Sequence, residues 1–292
     1  MSPATFELDR AALRRSFDRA AAGYDESAVL QAEVRQQLLA RLDYVTLAPD
    51  VVLDVGCGTG HASRALAARY PSARIVALDL AEGMLRQARR HGSGLLVCGD
   101  AMRLPLADAS VDLVFSSLTL QWCTDLDGVF AEFRRVLRPR GLLNFTTFGP
   151  DTLVELRGAW GQADGLVHVS EFADMHDVGD GLVRAGLAEP VLDVERFTLT
   201  YPDVFGLMRD LKAIGAHNAT AGRARGLTGK ATLGRMLAAY ESYRRDGRLP
   251  ATYEVVYAQA WCPEGPVRVR GDRPGSSGEV VVPLTRLQGR KT

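Results

Sequence analysis

Lysine is nearly missing from this 292-residue chain. Lys212, Lys230 and Lys291 are its whole supply, so almost all positive charge is arginine, a residue suited to fork-like grips on carboxylate or phosphate. A GC-rich genome produces the same bias, and both readings stand. A surplus of either sign is missing too: Lys plus Arg and Asp plus Glu both number 35, so no global field draws the chain to nucleic acid or a membrane. Only four cysteines occur, Cys57, Cys98, Cys123 and Cys262; they are scattered, without a C-x-x-C pair, which excludes a disulfide framework. Met1 to Arg10 lacks a basic-then-apolar signal pattern, and no apolar run approaches the roughly 18 residues that span a bilayer. The expectation is a cytoplasmic protein in a reducing compartment. What is present is ordinary globular material, 47% hydrophobic and 24% charged, which excludes disordered and fibrous chains. The length fits one large domain or one domain with an insertion.

From Leu13 to Leu47 the pattern is helical, with Leu30, Val34, Leu38, Leu42 and Val45 at three- and four-residue steps. The period then changes. Val51 to Val55, Arg74 to Asp79, Leu95 to Cys98, Val111 to Phe115 and Leu142 to Phe148 read as strands. Helices are predicted between them, after the glycines to about Tyr70, over Ala81 to Arg90, and over Leu126 to Leu137 before the breaker Pro139-Arg140-Gly141. Further helices are predicted near Asp151 to Trp160 and Asp177 to Ala185, then a strand Val191 to Tyr201, helices over Asp203 to Gly247, and a last strand Tyr253 to Trp261. This alternation predicts an α/β fold, a Rossmann-like, seven-stranded, mostly parallel sheet with a helical insertion before the last strand. The expected divisions are a helical segment covering the site (1–47), the Rossmann-like core (48–202), a basic helical insertion (203–250), the last core strand (251–262) and a Pro/Gly-rich tail (263–292).

Between the first strand and its helix lies Asp54-Val55-Gly56-Cys57-Gly58-Thr59-Gly60. Glycines there let the backbone turn sharply and approach a ligand that a Cβ would block. The dinucleotide fingerprint G-x-G-x-x-G is the obvious competitor, but its third glycine would fall on His61 or Ser63. The G-x-G-x-G spacing resembles instead the first motif of class I S-adenosylmethionine-dependent methyltransferases. Asp79 closes the second strand, where a carboxylate can accept bonds from ribose hydroxyls, and Asp100 follows the third, where these enzymes hold the adenine amino group. Leu80 and Met102 would sandwich the ring. Helix capping by the two aspartates is the bland alternative. The candidate cofactor wall is therefore Asp54, Gly56, Cys57, Gly58, Gly60, Asp79, Leu80, Asp100, Ala101, Met102 and Ser116.

Beyond the fourth strand stand Ser116-Ser117-Leu118-Thr119-Leu120-Gln121-Trp122-Cys123, Thr147-Phe148-Gly149-Pro150-Asp151-Thr152-Leu153, and Asp210-Leu211-Lys212-Ala213-Ile214-Gly215-Ala216-His217-Asn218. With Ser16 to Ala21 and Tyr24-Asp25, they make the chain, from about Ser16 to Trp261, resemble the malonyl-carrier-protein O-methyltransferases of biotin synthesis. The resemblance implies methyl transfer from S-adenosylmethionine to the free carboxylate of a malonyl thioester on acyl carrier protein, or on coenzyme A. Such a carboxylate titrates at roughly pH 4 or below, so the nucleophile is already ionised. Neither a general base nor a metal is required, and positioning alone can contribute roughly 7–11 kcal/mol.

A basic grip on the acceptor is expected in the insertion, where nine Lys or Arg face three acids between Phe205 and Arg248, a charge suited to docking an acidic carrier protein. Arg209 and Lys212 are the candidates for carboxylate or phosphopantetheine contact. Tyr24, in the segment such enzymes fold over the cofactor, and Gln121, where methyl acceptors sit, complete the candidate catalytic set. The five histidines show no metal-ligand spacing; His61 reads as a helix-start residue near the cofactor and the others as ordinary. Two rival readings stay open: another small-molecule carboxylate or ring methyltransferase, and a cofactor-binding assembly factor or protein-modifying enzyme of the same fold.

Overall fold

The computed structural model describes residues 9–164, 166, 168–216 and 229–265. His217, Asn218, Arg223 and Arg225 of the insertion, and most of the expected tail, lie outside the described residues. In chain order, α1 (Arg10–Ala20), α2 (Tyr24–Ser27) and α3 (Val29–Arg41) precede β1 (Val51–Val55), α4 (His61–Arg69), β2 (Arg74–Asp79), α5 (Glu82–Arg90), β3 (Leu95–Cys98) and β4 (Val111–Ser116). Then follow α6 (Leu126–Val136), β5 (Leu137–Phe148), α7 (Val154–Ala163), α8 (Met175–Arg184), β6 (Ala188–Tyr201), α9 (Val204–Ala213), α10 (Lys230–Glu241) and β7 (Leu249–Trp261). The seven strands form one sheet in the order β3-β2-β1-β4-β5-β7-β6. β1 to β5 pair in parallel, and β7 lies antiparallel to both β5 and β6, so six strands run one way and only β7 is reversed.

Consecutive strand residues send their side chains to opposite faces, and each face has its own core. Val52, Leu113 and Leu142 pack with Val34 and Leu38 of α3, with Leu66 of α4, and with Tyr240 of α10. Their neighbours Leu53, Val114 and Leu143 pack with Phe130 and Phe133 of α6 and Val178 of α8. Both layers are almost fully shielded from water, which is why these strands read as continuous apolar runs rather than as alternation.

Several boundaries differ from the sequence reading. The helical pattern from Leu13 to Leu47 divides into three helices, separated around Gly23 and at Ala28. The fifth strand begins at Leu137, not Leu142, and passes through the presumed breaker. Arg140 adopts a left-handed φ of +65° and pairs its N–H with the Cys262 carbonyl at 2.7 Å, while the Cys262 N–H meets Gly141 O at 2.8 Å, so the neighbouring chain absorbs the irregularity. β6 likewise starts three residues early, at Ala188, and β7 four residues early, at Leu249. No helix among the described residues is long and apolar enough to cross a membrane.

Candidate active site

The sheet order reverses between β1 and β4, and a crevice opens there at the carboxyl ends of the strands, as in open α/β sheets generally. The glycine loop shapes its floor. Gly56, Gly58 and Gly60 all take positive φ, at +70°, +53° and +84°. A Cβ on Gly56 would lie 2.0 Å from Thr119 Oγ1, and one on Gly60 would lie 2.0 Å from Ser93 Oγ. A Cβ on Gly58 would meet nothing within 4 Å and would project toward the space the loop borders. α4 starts directly after Gly60, so the loop leads straight from β1 into the helix.

Asp79 ends β2 with both carboxylate oxygens engaged. Oδ2 accepts the Gly58 N–H at 2.9 Å and Oδ1 the Ala81 N–H at 2.8 Å. Burial, reinforced by the nearby Asp18 charge and opposed by these donors, pushes its carboxyl up to about 6. Asp100 follows β3; its Oδ1 accepts the Met102 N–H at 2.9 Å, and Arg10 pairs with its other oxygen. Tyr24 stands over the crevice. Desolvation first, and the Asp79 charge second, raise its phenol well above the ordinary value, so it is a neutral donor at any physiological pH.

The N-terminal helices form the roof. Asp18 Oδ1 accepts the Gly83 N–H at 2.6 Å, supplying from α1 the cap that Ala81 does not give α5. Ser16 Oγ donates to Gly215 O at 3.1 Å, and Phe17 meets Trp122 edge-on at 5.5 Å between centroids. Further along, Asp25 accepts from Thr59 Oγ1 at 2.6 Å and lies 3.2 Å from His61 Nε2. Asp25, His61 and His91 each offer a ligand atom within 4.8 Å of the others. Arg64 Nη2 sits 2.8 Å from His61 Nδ1, and the hydrogen bonds of this cluster tie α2 and His91 to the glycine loop.

Together these elements enclose a cleft of about 980 Å³, its open mouth included. Of the residues singled out in the sequence, Tyr24, Gly56, Gly58, Asp79, Leu80, Asp100, Ala101, Met102 and Gln121 line it. Asp54, Cys57, Gly60 and Ser116 stand behind its wall. Asp54 is buried against Ser63 Oγ at 2.5 Å, Cys57 packs with Ala77 and Leu85, Gly60 lies over Ser93 and Ala88, and Ser116 Oγ donates to Val55 O at 3.0 Å. Arg209 and Lys212 do not reach it either. They lie on the exposed side of α9, while Ile214 and Ala216 just beyond the helix line the cleft. The sequence reading did not name Arg10, Phe17, Gln31 and Thr119 as site residues, although they line the cleft; Phe17 and Thr119 lie in the family-like segments, whereas nothing in the local pattern of Arg10 and Gln31 distinguishes them from helix residues elsewhere.

A second cavity of about 630 Å³, its open mouth included, adjoins the first and shares Gln31, Gln121, Trp122, Phe148, Ile214 and Ala216 with it. At this junction Gln121 Nε2 donates to Leu118 O at 2.7 Å, leaving Oε1 buried without a partner among the described residues. The far wall is the turn after β5, held by a buried network. Glu254 Oε2 accepts the Asp151 N–H at 2.7 Å, Thr152 Oγ1 donates to Glu254 O at 3.0 Å, and Thr252 Oγ1 donates to Glu155 at 2.5 Å. This network fixes Leu153 at φ +55° and presents Thr152, Leu153 and Leu156 to the cavity. Cys123 borders the first cleft, but burial pushes its thiol up to about 12, so it is no thiolate nucleophile.

The first cleft could hold a nucleoside, with an acidic group at each end, an apolar slot between Leu80 and Met102, and glycine backbone below. Comparison with known proteins agrees. The methyltransferase-domain family matches residues 53–145. The YcgJ protein of Bacillus subtilis aligns with a TM-score of 0.55 over 79% of this chain and all of its own, at 16% identity, which shows the shared fold. A malonyl-[acyl-carrier protein] O-methyltransferase of Methylovorus sp. (strain MP688) is 57% identical over 91% of this chain and 94% of its own length. That of Gallionella capsiferriformans (strain ES-2) is 54% identical over 88% and 92%. On this similarity, which spans glycine loop, cleft and insertion alike, the chain belongs to the malonyl-[acyl-carrier protein] O-methyltransferase family of class I S-adenosylmethionine-dependent enzymes.

Proposed function

We propose that this protein methylates the free carboxylate of a malonyl thioester carried on acyl carrier protein, giving the methyl ester that primes pimeloyl synthesis for biotin. Coenzyme A is the alternative carrier. The observation that carries the reading is the pair of joined cavities, a polar-ended nucleoside cleft opening into an apolar acceptor chamber across Gln121 and Trp122, in a chain 57% identical to an enzyme of that name.

S-adenosylmethionine, when bound, supplies a methyl group on a positively charged sulfur. The protein's own part is placement and exclusion of water. Gly56 and Gly58 let the backbone lie against the ligand, Asp79 accepts from ribose hydroxyls, and Asp100 accepts from the adenine amino group once Arg10 shifts aside. Leu80, Ala101 and Met102 supply the apolar walls. Because the substrate carboxylate is ionised at neutral pH, no base is needed, which agrees with the neutral Tyr24 phenol and Cys123 thiol at the cleft. Tyr24 donates toward the reacting carboxylate, and the unpartnered Gln121 Oε1 accepts an amide N–H of the phosphopantetheine arm. Binding energy thereby goes into alignment.

Arg209 and Lys212, exposed beside the cavity-lining end of α9, suit contact with an acidic carrier protein better than a grip on a buried carboxylate. The reaction requires no metal, nucleic acid or membrane, and the four free thiols suit a reducing cytoplasm. The test is mass spectrometry of malonyl-carrier protein incubated with the protein and S-adenosylmethionine, with acetyl-carrier protein alongside. A gain of one methylene on the malonyl form alone is expected; no gain on either form refutes the assignment.

A further inference from the structure

The acceptor chamber is walled by Leu153, Leu156, Val169, Phe172, Ile214 and other apolar side chains, and among the described residues no arginine or lysine lines it. Yet its substrate arrives as an anion, and moving a carboxylate into such a chamber without a partner is costly. Among the described residues lining this chamber, only His168 can carry a positive charge.

His168 is held in a fixed pose. Its side chain is 18% exposed. Its ring stacks on Trp160 with centroids 3.7 Å apart and planes 14° from parallel, and Nε2 lies 3.0 Å from both Asp164 oxygens. From the neighbouring helix, Arg235 clamps the end of α7 by donating to Ala163 O from Nε at 3.0 Å and Nη2 at 2.8 Å, and thus steadies the segment that carries Asp164. Among the described residues Nδ1 has no hydrogen-bond partner. Among the described residues the ring is thus anchored at one nitrogen and along one face, in a side chain that lines the chamber.

We propose, on the reading that this chamber takes the malonyl group, that His168 recognises the substrate carboxylate, with Asp164 and Trp160 as its positioning residues. A protonated imidazole donates from both nitrogens, Nε2 to Asp164 and Nδ1 to one oxygen of the malonyl carboxylate. Histidine suits this task better than arginine. A guanidinium fork engages both carboxylate oxygens, whereas a single N–H holds one and leaves the other oxygen's lone pairs for the incoming methyl group. The same contact aids turnover, because methylation removes the negative charge, the bond ceases to be charge-assisted, and the ester is held less tightly than the acid. It also selects, since an acetyl thioester offers no carboxylate.

The test measures equilibrium binding of malonyl- and acetyl-carrier protein to the full chain, together with KM and kcat. His168→Asn and Asp164→Asn are compared with the unaltered protein, and thermal unfolding and S-adenosylmethionine affinity report the integrity of the fold and of the first cleft. The unaltered protein is expected to prefer malonyl- over acetyl-carrier protein. His168→Asn loses that preference and raises KM about tenfold or more, as removal of one charge-assisted bond implies, with S-adenosylmethionine affinity unchanged. Asp164→Asn gives a smaller rise of the same kind. If His168→Asn folds, methylates and still discriminates malonyl from acetyl as the unaltered protein does, the assignment of His168 is overturned while the reading of the chamber stands. If the unaltered protein neither prefers nor methylates the malonyl form, the chamber reading fails and the assignment falls with it. Should His168→Asn not fold, His168→Gln takes its place with the same expected outcomes.

Discussion

Two aspartates with raised pKa values give the residue scale its clearest consequences. Asp79 must be ionised to accept ribose hydroxyls, and burial has pushed it up to about 6. S-adenosylmethionine affinity is therefore expected to be level above about pH 7 and to fall below pH 6, approaching tenfold per pH unit by proton linkage. Binding near pH 6 releases a proton, detectable by calorimetry in buffers of different ionisation enthalpy. Asp54 is pushed to about 7, mainly by burial and against the Ser63 hydrogen bond. Its folded-state pKa lies above its unfolded value, so the stability it contributes is complete below about pH 4 and is lost as pH rises to about 7. Asp54→Asn should flatten the dependence of chemical denaturation on pH across that window. At Gly56 the constraint is steric. Gly56→Ala places a Cβ against the whole Thr119 side chain at a φ of +70°, and loss of measurable S-adenosylmethionine binding is expected in a titration.

Among the elements, α1 is the one whose role depends on a few long-range bonds. It caps α5 through Asp18 and reaches the end of α9 through Ser16. Asp18→Ala removes a cap worth about 1 kcal/mol and should speed dissociation of S-adenosylmethionine several-fold in stopped-flow measurements, with little change in thermal unfolding of the sheet. The sequence showed a helical pattern here but not its division into three, because Gly23 is a weak breaker on its own and the break is decided by where α2 meets Thr59 and His61. The glycine loop was legible because its signal is local: strand, three glycines and helix follow within about a dozen residues. Strand β5 was read short because Pro139 and Gly141 are breakers in isolation; pairing with Cys262 lets the strand pass through them.

For the whole molecule, the doubly covered sheet carries the stability. Phe133 is completely buried beneath the sheet, away from either cavity's lining, and Phe133→Ala is expected to cost about 3–5 kcal/mol in denaturant unfolding, with S-adenosylmethionine affinity retained under conditions where the variant stays folded. The alternation of strands and helices, the position of the cofactor loop and the acidic residues closing β2 and β3 were determined by the sequence alone, since each depends on side chains near one another along the chain. Which residues face the chambers was decided only by tertiary structure. Arg209 and Lys212 sit in a family-like segment, yet the packing of Leu207 and Val204 into the core turns them to the outside. His168 looks ordinary in the sequence and acquires its setting from Trp160, Asp164 and Arg235. Ser16 meets Gly215 across 199 residues, a distance over which local pattern carries no information, because such pairs are selected by burial and shape once the sheet has assembled.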